Sequence, residues 1–304
     1  MAFVIFVYFR LDDLRWYYNN VEVVLLESIW RAFLFIHKRY CVRFVTHGPV
    51  RDSCTSIEGI RRLRKYDEEI ADTSDHKYAY DFDLDVMHYM MLRAFKPFLQ
   101  DGRSLELGSF QGEFTLKLKK EVQHIECVEA SGEAIKAFKE KKELHDVVCH
   151  HSLFENFVSN HKYDNIFLTH VLEHMDNPVE LLSDIKSKWL SDSGRLFLVC
   201  PNANAPSRQL AVRMGLMSHN AAVTKSELAH GHRITYSFDT LERDVKKSGL
   251  EVLQRKGIFL KCLANFQWDL VIKNNIVSQE YLDACYDVGE IYPDLCSSIM
   301  LICE

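Results

Sequence analysis

Several side chains capable of proton transfer follow a predicted buried strand. His170 comes directly after the strand Asn165–Thr169, Glu173 and His174 lie within the next turn, and His232 lies in a later loop. The imidazole pKa lies near neutral pH, so a histidine placed beside a hydroxyl group can accept its proton and speed a reaction by about 10²–10⁴-fold. The pattern predicts acid–base chemistry, with His170, His232 and His174 as the candidate catalytic residues.

The same segment matches a second pattern, H-x-x-E-H, which is found in zinc proteases. Here the pattern opens a helix after a strand of an α/β sheet, so we do not expect proteolysis. We expect no resident metal, although a metal bound by His170, Glu173 and His174 remains an alternative. In the simplest interpretation, Glu173 and His174 only orient the start of the helix and fill a packing position.

A glycine turn follows an earlier predicted strand, Ser104–Leu107. Gly108 and Gly112 lie in this turn, and Glu129 ends the next strand, seventeen residues past Gly112. Glycine lets the backbone approach a ligand closely, and the following helix N-terminus offers N–H groups to a carboxylate. An acid at the end of the second strand can accept both hydroxyl hydrogens of a ribose. Together these features predict a nucleoside-containing ligand.

The spacing of glycines within the turn argues against a dinucleotide or a nucleoside triphosphate as the ligand. Dinucleotide-binding folds carry G-x-G-x-x-G, and phosphate-binding loops carry G-K-[ST], whereas this turn reads E-x-G-x-x-x-G. A nicotinamide-dependent oxidoreductase is therefore the weaker alternative. A tight turn that binds no ligand is the other alternative that the turn alone leaves open.

Short strands alternate with helical stretches from Arg103 onward, which predicts β-α-β units and a parallel sheet with helices on both faces. The other predicted strands are His124–Glu129, Val147–His150, Arg195–Cys200, Leu250–Gln254 and Ser298–Cys303. The predicted helices are Asp81–Leu99, Thr115–Glu121, Gly132–Lys142, Val179–Leu190 and Asp239–Ser248.

Four ordered motifs between about Arg103 and Lys256 resemble class I S-adenosylmethionine-dependent methyltransferases. They are similar in particular to the small-molecule branch that includes ubiquinone-type methyltransferases. The segments that carry the resemblance are Leu105–Gly112, Cys127–Ser131, Tyr163–Pro178 and Gly194–Asn202, with a further late segment at His232–Ser237.

This resemblance implies an α/β fold with a Rossmann-like, doubly wound, seven-stranded sheet. The implied strand order is 3-2-1-4-5-7-6, with strand 7 antiparallel and a helical insertion, residues 263–297, before it. The implied cofactor is S-adenosyl-L-methionine. The residues expected to bind it are Glu106, Gly108, Ser109, Gly112, Glu129, Ala130, Ser152, Leu153 and Thr169. Many relatives carry an aspartate where this chain has Ser152, so a serine hydroxyl would serve the adenine there.

The expected reaction is methyl transfer to a small-molecule acceptor. O-methylation is favoured because histidines cluster where a base would lie. N- or C-methylation, or a catalytically silent protein that binds cofactor or a partner, are the alternatives. Nucleic acid is not the expected substrate, because the nucleobase-methylating motif D/N-P-P-Y/F is missing after the fourth strand and the 304-residue chain carries a net charge of −6.

Charge divides the chain into two parts. Residues 1–66 carry a net charge of +5 and the rest −11, so we predict an N-terminal extension, 1–66, and a methyltransferase domain, 67–304. Val21–Lys38 is expected to form a helix of this extension, and the basic run before Tyr66 predicts a peripheral membrane contact. With nine cysteines, no C-x-x-C pair and no basic leader, we expect a cytoplasmic protein.

Overall fold

The computed structural model describes residues 64–73 and 76–304. The predicted helix Val21–Lys38 and nearly all of the proposed extension, 1–66, lie outside these residues. The division of the chain near Tyr66 and the membrane contact therefore stay predictions. Among the described residues, none of the helices has both the length and the apolar character that crossing a bilayer would require.

One seven-stranded sheet forms the centre of the described part of the chain. Its strands are β1 Arg103–Leu107, β2 His124–Glu129, β3 Val148–His151, β4 Tyr163–Thr169, β5 Leu190–Pro201, β6 Val252–Ile258 and β7 Ser298–Cys303. The spatial order is β3-β2-β1-β4-β5-β7-β6, and only β7 runs antiparallel to its neighbours. This architecture confirms the predicted fold class, including the strand order and the antiparallel last strand.

Alternating side chains of the central strands supply the two cores, one on each face of the sheet. Ile166 and Leu168 of β4 pack into a cluster with Trp189. Phe167, between them in sequence, packs on the opposite face against Phe95 and its neighbours. Successive side chains of a strand point to opposite faces, so a strand that is apolar at every position must be covered on both sides.

The described residues contain ten α-helices, most of them short. They are α1 Tyr66–Glu69, α2 His88–Phe95, α3 Thr115–Leu118, α4 Gly132–Glu140, α5 Pro178–Asp184, α6 Pro206–Arg213, α7 Lys225–Ala229, α8 Phe238–Lys247, α9 Asn265–Lys273 and α10 Gln279–Ile291. Ser131, Thr224 and Ser237 cap the N-termini of α4, α7 and α8 through their hydroxyl oxygens. α9 and α10 make up the predicted helical insertion.

Most predicted elements differ from the structure by a few residues in their bounds, and three of these differences are explained by the structure. The predicted helix Asp81–Leu99 consists of a π-helical turn, Phe82–Met87, then α2 and a short 3₁₀ turn that contains Pro97. The predicted strand Arg195–Cys200 begins earlier, at Leu190, because Leu190 pairs with β4.

The sixth strand was predicted at Leu250–Gln254 and lies at Val252–Ile258 instead. β6 is the edge strand and pairs with β7 along this whole length. Two charged residues, Arg255 and Lys256, lie within the observed strand. An edge strand tolerates them, because Arg255 pairs with Asp294 at 2.6 Å and Lys256 with Glu290 at 2.7 Å.

Candidate functional site

A cavity of about 640 Å³ opens at the carboxyl ends of β1, β2 and β4. Open parallel sheets bind ligands in this position, where the strand order reverses between β1 and β4. Of the twelve predicted site residues, ten line the cavity: Glu106, Gly108, Ser109, Glu129, Ala130, Leu153, Thr169, His170, His174 and His232.

The remaining two predicted residues, Gly112 and Ser152, do not line it. A methyl side chain at Gly112 would lie 2.5 Å from Leu144, so this glycine serves the packing of the turn against α4 and the segment after it. Ser152 donates its hydroxyl hydrogen to the carbonyl of Leu153 at 2.8 Å. Their expected contact with the cofactor stays a prediction, for which the cavity gives no support.

Gly108 forms part of the cavity wall at the end of β1. Its φ of +80° lies in the left-handed region that favours glycine, and its N–H donates to the carbonyl of Val128 at 2.8 Å. A methyl side chain here would lie 2.5 Å from Cγ2 of Val171, which follows β4. The end of β1 can therefore approach the end of β4, and a ligand between them, only with glycine at this position.

Glu129 ends β2 and organises the backbone around it. Its carboxylate accepts hydrogen bonds from the N–H groups of Phe110, Ala130 and Ser131, each at 2.8 Å. Burial raises the pKa of Glu129, while these three hydrogen bonds act in the opposite direction. Ala130 and Ser131 both donate to Oε1, whereas Oε2 accepts only from Phe110 and retains lone-pair capacity for a hydroxyl donor from the cavity.

Glu106 lies deeper, in β1. Its carboxylate accepts a hydrogen bond of 2.6 Å from the hydroxyl of Thr115, which opens α3, and so ties the strand to the helix after the glycine turn. Burial raises the pKa of Glu106 to about 7. Glu106 is therefore poised to lose its proton when a cation binds nearby.

His170 adopts a left-handed backbone conformation, with a φ of +54°, immediately after β4. This conformation is uncommon outside glycine and is found at functional sites. Its side chain lines the cavity and remains 37% exposed. Its Nδ1 lies 3.6 Å from Oε1 of Glu173, and its Nε2 lies 3.4 Å from the hydroxyl oxygen of Ser298 on β7.

Glu173 is almost completely buried, with 1% of its side chain exposed. Neither carboxylate oxygen has a hydrogen-bond partner among the described residues, since 3.6 Å to His170 is too long. Burial acts to raise the pKa of Glu173, but the neighbouring imidazoles, His170 foremost, hold it below its ordinary value. The direction of this shift favours the ionised form of the carboxylate despite its burial.

His174 and His232 come from distant segments and meet beside Glu173. Their rings pack edge to face with centroids 4.4 Å apart. The loop between α7 and α8 is held there because the N–H of Arg233 donates to the carbonyl of Glu173 at 2.7 Å. Burial lowers the pKa of His174 to about 3 and also lowers the pKa of His232, so both imidazoles are neutral near pH 7.

The segment before α2 covers this end of the cavity. Arg64 donates to the carbonyl of His174 at 2.7 Å and pairs with Glu69 at 2.5 Å. Tyr78 packs against Phe110 of the glycine turn, with ring centroids 5.0 Å apart, and against His230 at 5.5 Å. Nδ1 of His230 lies 3.0 Å from the carbonyl of Glu69. These contacts join the segment to the glycine turn on one side and to His174 and His230 on the other.

The structure adds cavity residues that motif reasoning missed. Lys261, 6% exposed, lies between β6 and α9 and points its ammonium group at the ring of Phe82. Burial lowers the pKa of Lys261 to about 8. No sequence signal marks this residue, because it lies between β6 and the insertion, outside every motif. Arg64 is one of several basic residues in a run, and nothing in the run singles it out.

These features fit the cofactor that the sequence implies. Any Cβ at position 108 would fill the space beside Val171. Glu129, whose carboxylate can accept hydrogen bonds, ends the neighbouring strand, β2. Glu129 suits the hydroxyl groups of a ribose, and Gly108 leaves room for a chain attached to that ribose. The buried acid Glu106 borders the same space and suits an amino group.

Comparisons with known proteins agree with this arrangement. The profile of a family described as "Methyltransferase domain" matches residues 83–255. Curated protein sequences offer no match to the chain.

Among solved structures, an S-adenosylmethionine-dependent methyltransferase from Archaeoglobus fulgidus is 20% identical, with a TM-score of 0.49. The match covers 72% of this chain and 93% of that one. The N-methyltransferase NodS from Bradyrhizobium japonicum, solved with S-adenosyl-L-homocysteine, is 13% identical, with a TM-score of 0.49. That match covers 78% and 95%. The family match spans more than half of the chain and coincides with the strands that carry the site. The chain therefore belongs to the methyltransferase domain family, as an S-adenosylmethionine-dependent methyltransferase with the class I, Rossmann-like fold.

Proposed function

We propose that this enzyme transfers a methyl group from S-adenosylmethionine to a hydroxyl group of a small-molecule acceptor, as in the ubiquinone-type branch that the motifs resemble. The observation that carries the proposal is the continuity of the cavity. One space of about 640 Å³ borders Gly108 and Glu129 on one side and His170 on the other. This volume is typical of pockets for small molecules.

S-adenosylmethionine, when bound, supplies a methyl group on a sulfonium and a good leaving group. The protein must therefore hold two reactants in line, which can lower the barrier by about 7–11 kcal/mol. The rigid wall at Gly108 and the hydrogen-bonded carboxylate of Glu129 would fix one reactant. Tyr78 and the segment around it would cover the cavity and exclude water.

His170 is the favoured general base among the three predicted histidines. In the tautomer whose Nδ1–H faces the carboxylate of Glu173, Nε2 carries a lone pair, to which the hydroxyl of Ser298 donates at 3.4 Å and which an acceptor hydroxyl would take over. Nε2 would then accept the hydroxyl proton of the acceptor, while Glu173 stabilises the imidazolium that forms. His174 and His232 are less suited to this role, because burial disfavours their charged forms.

The test is product analysis with the full chain and S-adenosylmethionine labelled in its methyl group. Matched phenols, catechols, amines and activated carbon acids serve as acceptors, and each labelled product is identified by mass spectrometry. O-methyl products would support the proposal. Exclusively N- or C-methyl products would overturn the O-methylation part. Cofactor binding without turnover of any acceptor would favour a silent protein.

A further inference from the structure

The carboxylate of Glu173 is the least satisfied polar group of the site. Its side chain is buried, and neither oxygen accepts a hydrogen bond from any described residue. Buried carboxylates are normally paired, hydrogen-bonded or bound to a metal, because isolated burial of a charge is very unfavourable. The loose contact with His170, at 3.6 Å, leaves lone pairs on both oxygens free.

Two further donor atoms face this carboxylate. Glu173, His174 and His232 each place one ligand atom so that the three atoms lie within 4.8 Å of one another. Small rotations of these side chains would bring the three ligand atoms within bonding distance of a single cation. His170, which the sequence had grouped with Glu173 and His174, does not belong to this set. His232 takes its place, because the loop before α8 folds onto Glu173.

The surroundings also favour a cation. Eight carboxylate side chains line the cavity, against only three lysine or arginine side chains. Two of those three are already paired, Arg64 with Glu69 and Arg208 with Glu227, both at 2.5 Å. The cavity therefore has an excess of negative charge around a carboxylate that lacks a partner.

We propose that Glu173, His174 and His232 form a binding site for a divalent first-row transition-metal cation. Two imidazole nitrogens and one carboxylate oxygen suit such ions better than Mg²⁺ or Ca²⁺, which prefer oxygen ligands. Three protein ligands leave coordination positions open toward the cavity that His170 also lines. The proposal concerns binding and stands whichever acceptor the enzyme methylates.

The full chain, stripped with a chelator and dialysed, is titrated with Zn²⁺ and separately with Mg²⁺ by calorimetry. We expect saturable binding of one Zn²⁺ per chain, weaker binding of Mg²⁺ and a higher melting temperature with Zn²⁺. Co²⁺ provides a spectroscopic readout, because its visible absorption reports nitrogen and oxygen ligands directly.

Two conservative variants, Glu173→Gln and His232→Gln, each remove one ligand and should weaken Zn²⁺ binding at least tenfold and alter the Co²⁺ spectrum. His150→Gln is the matched control. His150 forms a comparable pair with Glu126, at 2.9 Å, outside the cavity and without a third ligand. This control should bind Zn²⁺ like the wild type. Circular dichroism verifies folding, and if Glu173→Gln fails to fold, His232→Gln decides.

Three outcomes would overturn the proposal. The first is the absence of stoichiometric Zn²⁺ binding by the stripped full chain. The second is unchanged affinity in a folded His232→Gln variant, which would place the metal on other histidines. The third is an equal loss of affinity in the His150→Gln control.

Discussion

His232 packs edge-on against His174, with ring centroids 4.4 Å apart, although 58 residues separate the two in sequence. The backbone bond from Arg233 to the carbonyl of Glu173 holds this contact in place. The residues that follow β4, including Glu173 and His174, and the loop before α8 are therefore held together. Substitutions among these residues are expected to be non-additive, whereas the cofactor wall at Gly108 and Glu129 can be tested separately.

Gly108→Ala should weaken binding of S-adenosyl-L-homocysteine at least tenfold in calorimetry. The added methyl group would meet Val171 and force the ends of β1 and β4 apart. Gly215→Ala is the control, since Gly215 also has a positive φ but nothing within 4 Å of the new Cβ. It should bind the cofactor normally. Equal affinity in both variants would show that the glycine turn does not border the ligand.

Glu129→Ala should weaken the same binding by about 1–3 kcal/mol, the range for losing a charged hydrogen-bonding partner. The substitution also frees the N–H groups of Phe110, Ala130 and Ser131. Glu126→Ala, in the same strand but paired with His150, is the control. NAD should not bind to any of these proteins. Binding of NAD in place of S-adenosyl-L-homocysteine would contradict the assignment of the ligand.

His170→Gln should lower kcat by about 10²-fold with a hydroxyl acceptor, while affinity for S-adenosyl-L-homocysteine stays nearly unchanged. Glutamine retains a hydrogen-bonding group but cannot accept the proton. His150→Gln, outside the cavity, should keep full activity. Near-normal kcat in His170→Gln would assign the histidine a packing role and leave alignment of the reactants as the source of catalysis.

The stability of the ligand-free chain should depend on pH through Glu106. Burial raises the pKa of Glu106 from 4.5 to about 7, so the folded state holds a proton that the unfolded chain has already lost. This contribution is present below pH 4.5 and is lost as the pH rises to about 7, at a cost of about 3 kcal/mol in the free energy of unfolding. Urea titrations between pH 4.5 and 8 measure it. In Glu106→Gln, the free energy of unfolding should no longer decrease between pH 4.5 and about 7. The same decrease in the variant as in the wild type would contradict the interpretation.

Two truncations test where the N-terminal segment becomes part of the domain. Deletion of residues 1–63 should leave a folded chain that binds S-adenosyl-L-homocysteine, because it keeps Arg64 and its bond to the carbonyl of His174. Deletion of residues 1–66 removes Arg64 and its pair with Glu69, so we expect a lower melting temperature. Insolubility of both truncated proteins would show that the preceding residues are integral to the fold.

The sequence alone predicted the sheet, which the structure confirms, and the residues that we expect to bind the cofactor. Apolar strands, a glycine turn and an acid at the end of the second strand are local signals, because neighbouring residues fix the turn, the helix start and the strand end. Gly108, Glu129 and His170 were therefore identified by position within their elements. The strand order was implied only by the resemblance to a known family that the ordered motifs together carry.

Tertiary structure decided which side chains meet. Lys261 and Arg64 line the cavity although their segments carry no motif. Gly112 belongs to a motif but packs against Leu144 and does not line the cavity. His232, and not His170, completes the candidate ligand set with Glu173 and His174, because one long-range backbone hydrogen bond places its loop. Loop conformation depends on such distant hydrogen bonds and on packing, neither of which leaves a periodic pattern in the sequence.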